Sequence, residues 1–144
     1  MSPIPPSVEI IQLAGMAQIV LVLVSVSIPR ILGWSQETQK LRPLTRQVFW
    51  TYAGYIGVSN LCFGLLSVFQ PDSLLSETPL AGAVTGFIAL WWATRVVIQF
   101  TYFDRSDAPQ GTRYTIAEIA LVLLFVVLTL VYGTAACANF GGVR

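Results

Sequence analysis

The chain has 144 residues, of which 55% are hydrophobic and only 10% charged, whereas soluble domains carry about a quarter charged residues. Eight Lys and Arg against seven Asp and Glu leave a formal net charge of +1, which gives no reason to expect a nucleic-acid partner. The chain has no histidine, which excludes bis-histidine haem ligation, histidine-based metal sites and histidine acid–base catalysis.

Four runs nearly free of charge, residues 10–28, 48–69, 80–103 and 114–136, make up most of the sequence. Crossing about 30 Å of hydrocarbon takes about 20 apolar residues in a helix, so each run can cross once and none can cross twice. Membrane strands alternate apolar and polar residues over about 10 positions, but residues 120–131 are almost unbroken aliphatic. The expected fold is all-α: a four-helix transmembrane bundle forming one integral membrane domain over residues 1–144.

The first run has a loose imitation of a signal-peptide cleavage site in Ser25-Val26-Ser27. Residues 1–9 hold three prolines and no Lys or Arg, however, and a signal peptide begins with a basic segment. The run therefore reads as a retained span. After it come Arg30, Lys40, Arg42 and Arg46, and the third run is followed by Arg105 and Arg113. On the opposite side Arg144 is the lone cation. The positive-inside rule places these two loops in the cytoplasm and both termini on the non-cytoplasmic side. Residues 35–41 are expected to form a short interfacial helix with Trp34 at headgroup level, and Thr45 to cap the second span. The loop's four cations are expected to be solvated and to set topology, with contact to anionic lipid as the alternative.

In the outer loop, Pro71 is expected to end the second span, while Thr78-Pro79 has the pattern of an N-cap followed by proline at the first helical position. Ala53, Gly57, Asn60, Gly64 and Ser67 fall at spacings of four and three on one face of the second span; Gly82, Gly86, Ala89 and Ala93 repeat the device on the third. Small faces permit the close approach on which helix association in lipid depends. Because a short turn joins these spans, the two stripes are expected to meet each other, with self-association through one stripe as the alternative.

Arg95 is the charge that the third span has to accommodate, at a cost of about 2.5 to 3.5 kcal/mol at a helix centre. Rises of 1.5 Å per residue put it roughly 10 Å inside the inner boundary and Glu118 of the fourth span roughly 6 Å inside. An ion pair between them is expected, with Gln99 one turn from Arg95, and with Asn60 and Gln18 extending a polar interior. This set reads either as a structural latch or as a site for an anionic or carbonyl-bearing amphiphile walled by Trp91, Trp92 and Tyr102.

Cys62 and Cys137 form no Cys-x-x-Cys pair, and the residues at 104–111 read as a polar turn. Phosphate-binding glycine loops, a G-x-S-x-G elbow and carboxylate clusters for a divalent cation are absent from the sequence. The chain is therefore expected to be a non-enzymatic accessory or structural subunit, meeting a membrane-protein partner or further copies of itself. The alternative is a binder or transporter of a lipid-like or quinone-like molecule; no metal or other cofactor is expected.

Overall fold

The computed structural model describes residues 5–103, 106 and 111–142. The expected polar turn at residues 104–111 lies almost wholly outside them. Seven helices are described: α1 (Val8–Ser25), α2 (Ile28–Ile31), α3 (Trp34–Gln39), α4 (Pro43–Phe69), α5 (Pro71–Leu74), α6 (Pro79–Thr101) and α7 (Thr112–Gly141). There is no strand among the described residues. The chain is all-α, with four stretches of membrane-spanning length and hydropathy: Val8–Ile31, Pro43–Phe69, Pro79–Thr101 and Thr112–Gly141.

The ends of these helices follow from local chemistry. At the end of α1, Ser25 Oγ donates to the Leu21 carbonyl at 2.7 Å and Ser27 Oγ to that of Val24 at 2.6 Å. Pro29, which has no N–H, stands at the start of α2. Gly33 then turns the chain at φ 62°, a left-handed conformation that glycine adopts without a Cβ penalty. The interfacial helix begins at Trp34, as expected within one residue. Thr45 is not a cap: α4 starts two residues earlier, at Pro43, because proline suits the first helical turn, where an N–H has no partner. Thr78 is the cap expected of it, its Oγ1 accepting from Ala81 N at 3.2 Å.

Residues 12–69 form one compact unit. Within it α1 and α4 approach at backbone distance. A methyl built on Gly15 would lie 2.8 Å from the Gly64 carbonyl oxygen and 2.8 Å from Ser67 Cβ. Gln12 Nε2 donates across the same contact to the Val68 carbonyl at 3.4 Å. Two members of the α4 stripe, Gly64 and Ser67, are thus spent on α1 and are buried. Around the middle of α4 the unit is open, with nothing within 4 Å of where a side chain on Gly54 or Gly57 would begin.

The second compact unit comprises residues 70–144 together with 1–11. Here α6 and α7 pack antiparallel. Buried positions on α6 are Ala81, Thr85, Ile88 and Trp92, and those on α7 include Phe125, Leu128, Tyr132, Ala135 and Asn139, each row stepping by threes and fours. Gly82 lies against the Phe140 ring and Gly86 against Ala136. The α6 stripe expected to meet α4 therefore has α7 as its described partner. Spacing identifies which face of a helix is small but carries no information about which neighbour uses it.

Close approach at Gly15 makes a direct test. Gly15→Ala is expected to lower stability by about 1–3 kcal/mol, since the new methyl meets backbone that cannot rotate away. Gly54→Ala, at an open position, should leave the unfolding temperature in detergent unchanged or slightly raised.

Candidate functional site

Arg95 and Gln99 of α6 and Glu118 of α7 lie towards the end of α6. Arg95 lies six residues, about 9 Å, before the end of α6 at Thr101, and Glu118 six residues into α7. Equal counts do not put them level. In the register set by Gly82 with Phe140, Gly86 with Ala136 and Trp92 with Phe125, Glu118 stands beside the last turn of α6, while the residues level with Arg95 are those around Phe125. The first turns of α7, residues 112–117, run past the end of α6 and are exposed.

That offset decides the contacts. Gln99 Nε2 donates to Glu118 Oε1 at 3.0 Å, linking the two helices through a charge-assisted bond. The Arg95 guanidinium carbon lies 5.7 Å from the centroid of the Phe125 ring, within cation–π range. Phe125 is stacked at 5.2 Å and 23° on Trp92, which is 1% exposed. Of the expected Arg95–Glu118 pair, Arg95 thus meets an aromatic face, and Glu118 has the Gln99 amide among its partners. Both are half-buried.

Of the proposed aromatic walls, Trp92 fills the space beside Phe125, Trp91 pairs with Phe87 at 6.2 Å, and Tyr102 is 81% exposed and pairs with Phe103. Asn60 and Gln18 belong to the unit of residues 12–69; Gln18 is fully buried and its Nε2 donates to the Ala14 carbonyl at 3.2 Å. A shallow groove between α6 and α7 is lined by Ala93, Val96, Val97, Val126, Thr129 and Leu130, and is apolar apart from the Thr129 hydroxyl, which donates to the Phe125 carbonyl at 2.8 Å.

Sequence reasoning missed Asn139, a polar side chain of this unit with three hydrogen bonds. Its Nδ2 donates to the Leu74 carbonyl at 2.8 Å and to Thr85 Oγ1 at 3.3 Å, and its Oδ1 accepts from Glu77 N at 3.1 Å. It is 1% exposed. The amide joins α5, the turn after it and α6 to the last turns of α7, and Glu77 adopts a left-handed φ of 52° in that turn. Asn139 lies three residues beyond the apolar run 114–136, so a reading bounded by that run did not reach it.

Gln99→Leu is expected to cost about 1–3 kcal/mol, read as a fall in unfolding temperature in detergent, whereas Glu118→Gln should keep most of the stability because its amide oxygen still accepts. Comparison of the chain with protein-family models, with curated proteins and with solved structures finds no significant match, so the roles of these residues rest on their geometry alone.

Proposed function

We propose that this multi-pass membrane protein is a small structural or accessory subunit that docks through α4 onto a transmembrane partner. The observation carrying the reading is the state of that helix. Its most apolar window is 11% buried, against 28% to 33% for the other three spans, yet it bears the stripe Ala53, Gly57, Asn60. At Gly54 and Gly57 nothing stands within 4 Å. Against lipid alone a small face gains little, while against another helix it gives close van der Waals contact, and Asn60 adds a group able to hydrogen-bond across the interface. The partner is another membrane protein or a second copy of this chain. Solubilisation in mild detergent should recover a stoichiometric partner with the wild type, and Gly57→Leu should lose it while keeping its own unfolding temperature. A wild-type chain that runs as a bare monomer at every concentration overturns the proposal.

A second reading rests on a different observation. Arg95 carries five N–H donors in a fixed fork, and among the described residues it meets the Phe125 ring rather than a hydrogen-bond acceptor. A lipid-like or quinone-like molecule with a carbonyl or acidic head would satisfy that fork. Native mass spectrometry separates this role from a latch: Arg95→Leu should keep the fold and lose a lipid that the wild type retains. If the variant instead keeps the lipid, or the wild type carries none, the binding role falls.

A further inference from the structure

The segment from α2 to the start of α4 carries Arg30, Lys40, Arg42 and Arg46 with one carboxylate, Glu37. That carboxylate is committed: Lys40 Nζ lies 2.7 Å from Glu37 Oε2. Arg30, Arg42 and Arg46 are exposed and meet no carboxylate among the described residues. Among the described residues, three positive charges on one short stretch of chain are therefore without a carboxylate.

Aromatic packing ties this stretch to the body of α4. Trp34, at the start of α3, sets its ring edge-on to Phe49 at 5.2 Å and close to Trp50 at 6.2 Å, and Phe49 and Trp50 are themselves 5.7 Å apart. Thr38 is buried on the same short helix and bonds back to the Trp34 carbonyl. The cations consequently sit at a fixed level along α4. That helix has 27 residues, about 40 Å, which exceeds an about 30 Å hydrocarbon core by about two turns. Arg42 and Arg46 flank its first turn, which contains no acidic residue. Exposed apolar side chains stand beside them, Leu44 at 71% and Val48 at 43%. Tryptophan favours the headgroup layer.

We propose that this segment is a binding site for anionic phospholipid, with Arg30, Arg42 and Arg46 holding the phosphate-bearing headgroup and the Trp34, Phe49 and Trp50 cluster meeting the start of the acyl chains. The ligand chemistry follows from the juxtaposition: exposed cations that meet no carboxylate among the described residues call for an anion, and the apolar surface next to them calls for an anion that carries hydrocarbon. Basic residues at a membrane surface strengthen binding of anionic lipid by about fivefold each.

The test is quenching of tryptophan fluorescence in phosphatidylcholine vesicles that contain, at equal mole fraction, either brominated phosphatidylglycerol or brominated phosphatidylcholine. Brominated phosphatidylglycerol should quench the wild type more strongly, and the preference should weaken as salt is raised. It should fall more than about tenfold in the Arg30→Gln, Arg42→Gln, Arg46→Gln variant. The matching triple Arg→Lys variant should retain it, and Trp34→Phe with Trp50→Phe should remove the lipid-dependent part of the signal. Equal quenching of the wild type by the two lipids overturns the proposal, as does a preference that survives the Gln substitutions or is indifferent to salt. Should the Gln variant fail to insert, the wild-type comparison and its salt dependence still decide.

Discussion

Inside hydrocarbon a polar side chain has two ways to be satisfied, on its own helix or across to a neighbour, and the organisation of this protein follows from which groups take which route. Hydroxyls take the first. Thr51, Ser67, Thr94, Thr101, Thr129 and Thr134 all donate to the carbonyl four residues earlier, at 2.8 to 2.9 Å. Their hydroxyls thereby find an acceptor on their own helix and are tolerable in lipid. Amides take the second route where their reach permits: Gln99 crosses from α6 to α7, Gln12 from α1 to α4, and Asn139 to three segments at once. Because helix association in lipid gains nothing from expelling water, these few crossings and the glycine contacts beside them carry a large share of specificity.

Most of the architecture could be read from the residues because it answers to a single solvent. Runs such as 114–136 leave no alternative to a spanning helix, and the Thr78-Pro79 cap announces the start of α6 within one residue. The helix ends were less legible, since α4 and α7 continue past their apolar runs through residues whose composition no longer marks the limit. Their extensions, at residues 43–47 and 137–141, therefore escaped a reading based on hydrophobicity.

The candidate site was legible by residue and not by pairing. Gln99 and Glu118 meet across α6 and α7, Arg95 turns to Phe125, and Asn60 belongs to the other unit. Depth from a helix end proved a poor guide to partnership, because α7 runs past α6 and shifts Glu118 from the level of Arg95 to that of Gln99. Likewise the small residues of α4 and α6 marked close contacts correctly at Gly64 and Gly82, but the neighbours were α1 and α7. Register and partner depend on the relative slide of two whole helices, which no local spacing encodes.

Asn139 also imposes an order on biogenesis. Its three partners, at Leu74, Glu77 and Thr85, leave the ribosome more than fifty residues ahead of it. During that interval the turn before α6 has a backbone carbonyl and a backbone N–H waiting for an amide not yet made. The non-helical connection between α5 and α6 is thus completed from the far end of the chain, so the first half of this unit is inserted before it is locked.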